Sequence, residues 1–160
     1  MYQMLQSEQL SRTILPMKSV ERRNVLAIDY GRRRVGLAKS DELGMIASAY
    51  KTIEVNSLKE ALAEIATIVT EIKPNGIVIG YPLHASGDKS KMCEEIDQFI
   101  VQLQSIYTGP IYKIDEFGSS GDATKVITSH GKKSGKRKAA IDRLAALMIL
   151  QRYMDGENVL

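Results

Sequence analysis

The sequence predicts an α/β fold on a mixed five-stranded sheet, three antiparallel strands followed by parallel ones, flanked by helices. Three observations carry this prediction. Two apolar runs, Val25–Ile28 and Val35–Ala38, are joined by a short basic turn, as in a hairpin. Ile77-Val78-Ile79 is apolar without interruption, the pattern of a strand buried on both faces. Beyond Asn56, helix-period stretches alternate with strand-like runs: helix, strand, helix, strand, helix.

The elements follow in order. Residues 1–23 carry Pro16 and no sustained period, and read as an N-terminal extension with a short helix over Met4 to Leu10. Residues 24–160 read as a single domain. Strands are predicted over Asn24 to Asp29, Val35 to Ser40 and Ala49 to Val55, a meander. Asn56-Ser57 opens a helix whose inner face is Leu58, Ala61, Leu62, Ile65, Ile68, Val69 and Ile72, and Pro74-Asn75-Gly76 ends it. The strand after it closes at Gly80-Tyr81-Pro82, and Ala85 to Ser90 form a loop. A second helix is predicted from Lys91 to Tyr107, then a strand from Ile111 to Glu116. Ser119-Ser120 cap a short helix reaching Ser129, and Gly131 to Lys138 read as a basic loop. The last helix spans about Arg137 to Met154, with Ile141, Leu144, Ala145 and Met148 as its buried stripe.

At 160 residues, 44% hydrophobic and 26% charged, the chain can bury a core without staples. Its one cysteine, Cys93, excludes an internal disulfide and suits a reducing cytoplasm. No apolar run approaches a membrane span and no signal-peptide pattern opens the chain, so a soluble cytoplasmic protein without a membrane partner is expected. A net charge of +3 says little about partners until its distribution is considered.

Three places along the chain hold acids that ask for a chemical role. Asp29 ends the first strand beside a buried row, where aspartate opposes β propensity; alone, it serves equally well as a turn cap before Gly31. Asp115 and Glu116 end the fifth strand, and because neighbouring strand residues face opposite ways, only one of them can share a site with Asp29. Asp142 lies inside the last helix beside its apolar stripe, among Ala139, Ala145 and Ala146, which allow close approach to the sheet. Arg143 diverges from it on the helix and is no partner. Converging carboxylates repel, by about 4 kcal/mol for unit charges about 4 Å apart at an effective dielectric of about 20. A divalent cation removes that penalty, and oxygen-only ligands favour Mg2+ or Mn2+. Two such ions can activate a water and stabilise the leaving oxygen of a phosphodiester.

Four motifs in order resemble the YqgF (RuvX) family, the Holliday junction resolvase or pre-16S rRNA nuclease group of the ribonuclease H-like superfamily. They are Asp29-Tyr30-Gly31-Arg32-Arg33-Arg34-Val35-Gly36-Leu37-Ala38; Gly80-Tyr81-Pro82-Leu83 with Gly87; Ile114-Asp115-Glu116 through Ser119, Ser120 and Ala123; and Ile141-Asp142-Arg143-Leu144-Ala145-Ala146 with Ile149-Leu150. The match spans about Asn24 to Met154. It implies a ribonuclease H-like fold, a metal-dependent nuclease site, and a role at the 5′ end of small-subunit rRNA precursor or on DNA junctions. Carried over by motif, Asp29, Glu116 and Asp142 would be the catalytic, metal-binding acids, which selects Glu116 over Asp115. Phe117 stands where the family usually has arginine, and His84 where it often has asparagine.

Lys132, Lys133, Lys136, Arg137 and Lys138 precede the helix bearing Asp142, and Arg32, Arg33 and Arg34 lie on the first hairpin. With His84, they are the expected contacts to nucleic acid, precursor rRNA or branched DNA, including the ribosomal small-subunit precursor. Two rivals remain. An acid-x-glycine turn also serves actin-like ATPases, but they need a second nucleotide-binding half for which this chain is too short. A non-catalytic RNA-binding module is the other, and Phe117 is the feature that keeps it open.

Overall fold

The computed structural model describes residues 23–116 and 135–160. Strands β1 (Val25–Asp29), β2 (Arg34–Ser40) and β3 (Ala47–Glu54) form the meander; helix α1 (Leu58–Ile72), strand β4 (Gly76–Tyr81), helix α2 (Lys91–Leu103), strand β5 (Ile111–Asp115) and helix α3 (Gly135–Met154) follow. The sheet has five strands in the order β3-β2-β1-β4-β5. β1 pairs antiparallel with β2 and β2 with β3, whereas β4 runs parallel to both β1 and β5. The predicted fold class is the observed one. The predicted N-terminal extension and the predicted helix from Ser119 to Ser129 lie outside the described residues.

Each strand splits its side chains between two cores. Leu26, Ile28, Leu37, Ile77 and Ile79 pack toward α1 and α2, where Ala61, Ile65, Ile96, Phe99 and Leu103 meet them. Val25, Ala27, Ala38, Val78 and Ile114 face the other way, against Ala146, Ile149, Leu150 and Tyr153 of α3. β4 is buried along its whole length, as its apolar run predicts. Ser57 caps α1 and Ser90 caps α2, each accepting a backbone N–H from three residues on. Lys73 ends α1 in the left-handed conformation, and the Asn24 amide donates to the carbonyls of Ile72 and Lys73 at 2.9 and 2.8 Å.

Several boundaries differ from the sequence prediction, β3 among them, which runs Ala47–Glu54 and not Ala49 to Val55. α2 stops at Leu103, four residues before Tyr107, because the chain tightens there into turn bonds from Ser105 to Gln102 and from Ile106 to Leu103. β5 ends at Asp115, with Glu116 just beyond it. Within the described residues α3 runs from Gly135, so Lys136, Arg137 and Lys138 are helical and not a loop. The C-terminal residues cover the outer edge of β5, Asp115 donating to Asn158 and Leu160 donating to Lys113, both at 2.9 Å. Among the described residues no helix is long and apolar enough to cross a membrane.

Candidate active site

The alternation of the strands decides which acids can meet. In β1, Val25 and Ala27 face α3, so Asp29 faces α3 as well. In β2, Ala38 faces α3, and Gly36 and Arg34 share its side. In β4 and β5, Val78 and Ile114 face α3, which places Gly80 and Glu116 on that face and Asp115 on the other. Asp29 pairs with Gly36 and Gly36 with Thr52. Ile28 pairs with Ile79, so Gly80 follows one residue on at the same end of β4, where it pairs with Ile114. This row of positions crosses the sheet beneath α3. The Glu116 alternative, open on sequence spacing alone, is the one that this row favours.

Two glycines in that row make the room. A Cβ at Gly36 would run into the backbone carbonyl of Asp142, so this glycine lets α3 lie against β2 at the residue that carries the acid. A Cβ at Gly80 would collide with the carboxylate of Glu116 and the side chain of Ile149. Thr52 anchors α3 by donating to the carbonyl of Ala139 at 2.7 Å. Sequence placed Gly36 and Gly80 within the family motifs and Gly80 at a strand end, but gave neither them nor Thr52 a part in making room for α3 and the acids. A glycine inside an otherwise apolar strand was the available signal for the first two.

The face of α3 that carries Asp142 is turned relative to expectation. Ala146, Ile149, Leu150, Tyr153 and Met154 are its buried residues, whereas Ile141, Leu144, Ala145 and Met148 are only half-buried. Asp142 therefore heads the sheet-facing column with Ala146, Ile149 and Tyr153 instead of bordering it. Apolar residues fall on more than one side of this helix, so periodicity alone could not choose the face.

The electrostatics set two of the acids apart. Burial, then the nearby charges of Glu116 and Asp142, push the carboxyl of Asp29 up from 3.8 to about 8. Burial also raises Glu116 to about 7; Arg152 opposes the rise and Asp115 adds to it. Arg152, in the last turn of α3, donates to the carbonyl of Asp115 at 3.1 Å and was not anticipated from the sequence. Asp142 has a different environment: Arg34 Nε donates to its Oδ2 at 2.6 Å. Among the described residues, no three His, Cys, Asp or Glu side chains already stand as a group able to hold a metal ion.

The expected nucleic-acid contacts disperse. Arg34 is occupied by Asp142, and Arg32 turns away to make a two-pronged ion pair with Glu95 of α2, its Nε at 2.9 Å from Oε2. The arginine turn thus braces the hairpin at two points, through Glu95 and Asp142. Arg33 is exposed, its carbonyl accepting from Val55 at 2.9 Å. His84 is exposed on the loop after β4, where its backbone closes a turn with Gly87 and Asp88. Lys136 and Lys138 are exposed on α3, with Arg137 half-buried between them. Lys132 and Lys133 lie outside the described residues.

Comparison with known proteins places this geometry. Residues 23–156 match the model of the family described as RuvX: Holliday junction resolvase. A relative from Syntrophus aciditrophicus is 36% identical over 132 residues, covering 82% of this chain and 88% of its own. One from Chlorobium phaeobacteroides is 35% identical over 143 residues, covering 88% and 97%. Both bear the name "Putative pre-16S rRNA nuclease". Among solved structures, Thermus thermophilus RuvC in complex with a Holliday junction aligns with a TM-score of 0.53 at 12% identity, over 85% of this chain and 98% of that one. The Fowlpox virus resolvase bound to junction DNA aligns at 0.52 and 14% identity, over 82% and 97%. At those identities the structures speak for the resolvase-like fold alone. The family match over most of the chain and the sequence relatives decide the rest: this chain belongs to the RuvX family.

Proposed function

We propose that this protein is a metal-dependent endonuclease acting on structured nucleic acid, with the 5′ end of precursor 16S rRNA as its substrate and residues 24–160 as its nuclease domain. The observation that carries this reading is the acid row beneath α3. Two half-buried carboxyls, Asp29 and Glu116, hold protons up to about 8 and 7. Both retain protons where carboxylates normally lose them, the behaviour expected of oxygen ligands awaiting a cation. Asp29, Glu116 and Asp142 would hold Mg2+ or Mn2+. When bound, a pair of such ions supplies Lewis-acid stabilisation of the charge that develops on a phosphodiester during hydrolysis. The protein's own contribution is to fix the acids on a rigid row and to keep the glycine floor open. Lys136 and Lys138 would lie along the phosphate backbone and make binding salt-sensitive and sequence-tolerant. The names borne by the sequence relatives favour precursor rRNA; the resolvase-like fold keeps branched DNA as the second substrate to test.

The test incubates pure protein with a precursor-rRNA mimic and a four-way DNA junction, with Mn2+ or Mg2+. Asp29→Asn and Asp142→Asn are expected to reduce cleavage by about 10³-fold or more while nucleic-acid binding persists. Wild type and both variants cutting equally would assign the cleavage to a contaminant and leave a non-catalytic RNA-binding module. Cleavage of the junction alone would move the function to DNA recombination.

A further inference from the structure

The ion pair between Arg34 and Asp142 is the feature that the proposed chemistry does not absorb. Arg34 opens β2 on the face toward α3, and Gly36 brings the backbone of Asp142 against the same strand. Nε and Oδ2 are 2.6 Å apart, with both side chains about a quarter exposed, at 24% and 22%. A cation bound through Asp142 would bring its own positive charge against the guanidinium, so one carboxylate cannot serve both partners well. A guanidinium presents a planar fork that suits a carboxylate and a phosphate alike, which a lysine ammonium would not. Arg34 is partly exposed beside the acids, whereas Arg32 is tied to Glu95 on the opposite helix layer.

We propose that Arg34 is a positioning residue that exchanges partners: it holds Asp142 in the metal-free protein and passes to a backbone phosphate of the nucleic acid as Asp142 turns to the metal. The exchange rests on the metal-dependent reading of the acids. It couples the two ligands, because nucleic acid that draws Arg34 away frees Asp142, and metal that captures Asp142 frees Arg34.

Titration calorimetry of the full chain with Mn2+ tests it. Arg34→Gln removes the competing cation and is expected to tighten Mn2+ binding by about threefold to tenfold, while weakening binding of an uncleavable four-way junction. Equal or weaker Mn2+ binding in R34Q would overturn the exchange and make Arg34 a fixed brace for Asp142. A second measurement needs no variant. The Nε–H resonance of Arg34 in wild type is expected to move when Mg2+ and the uncleavable junction are added to saturation, and an unmoved resonance overturns the proposal even if R34Q fails to fold. Asp29→Asn separates the two levels. If wild type takes up no Mn2+, or D29N binds it as wild type does, the metal reading itself has failed; if D29N loses Mn2+ but R34Q does not gain it, only the exchange has.

Discussion

On one side of β4 and β5, Asp97 reaches from α2 to the hydroxyl of Tyr81 at 2.9 Å, to Lys89 at 3.0 Å and to Lys113 at 2.7 Å. On the other side, Asp29 and Glu116 face α3 across the glycine floor. Burial works to raise Asp97, but the hydrogen bonds from Lys113, Lys89 and Tyr81 outweigh it and bring the carboxyl down to about 2. Asp29 goes the opposite way, to about 8. The same residue type, on opposite faces of one sheet, is in one case supplied with donors and in the other pressed against further acids. Asp97 is a structural acid whose charge the fold has already matched. Asp29 is an acid whose charge the fold leaves to be matched from outside, and that difference is the physical content of a candidate cation site.

Gly80 lies next to Tyr81 in β4, and its substitution is expected to disturb both stability and cleavage. Gly80→Ala drives a methyl group into the Glu116 carboxylate and Ile149. It is expected to destabilise the protein by about 1–3 kcal/mol, as overpacking does. It is also expected to reduce cleavage by about a hundredfold through the displaced acid, about 2.7 kcal/mol of transition-state stabilisation. Urea unfolding and single-turnover cleavage read the two effects separately. Unchanged cleavage would remove Glu116 from the site and dissolve the contrast between the faces.

Asp29→Asn sharpens the contrast through pH. The folded-state value near 8 lies above the ordinary 3.8, so the group's contribution to stability is fully present below about pH 4 and is lost as pH rises through 8. In metal-free buffer, D29N should therefore gain on wild type between pH 5 and pH 8, by about 3–4 kcal/mol. Thermal melts at the two pH values read the difference. Adding Mn2+ at pH 8 to about 100 times its Kd should stabilise wild type by about 2.7 kcal/mol and D29N far less. An equal Mn2+ response in both proteins would show that Asp29 is no ligand.

The sheet and its topology were legible because they follow from periodicity. The unbroken apolar run of β4 and the serine caps of α1 and α2 are local signals, and the fold obeys them. The candidate acids were legible as residue types at strand ends and on a helix, with the family motifs choosing Glu116. What failed depended on distant partners. The stripe on α3 was misassigned because apolar residues surround that helix, and only contact with the sheet selects the column below Asp142. The ion pairs of the arginine turn were likewise not legible, because a one-dimensional sequence cannot show that Glu95 pairs with Arg32 and Asp142 with Arg34. Arg152, ten residues beyond Asp142 on the same helix, carried no local mark at all.

Asp97→Asn gives the smallest effect and closes the comparison from the structural side. The folded-state value near 2 lies below the ordinary 3.8, so Asp97 contributes stability above about pH 4 that is lost as pH falls through 2. The side chain keeps 31% exposure, so solvent screens its two lysine pairs, and the expected cost at pH 7 is about 1 kcal/mol. That deficit should fade on acidification toward pH 2, which thermal melts across the acid range would follow. Mn2+ affinity and cleavage should stay at wild-type levels, because the Asp97 cluster faces α2 and the acid row faces α3. A D97N variant that lost Mn2+ as D29N does would couple the two faces through β4 and β5. Its donors would then have to be counted as part of the site, and the distinction between a matched and an unmatched acid would no longer separate structure from function.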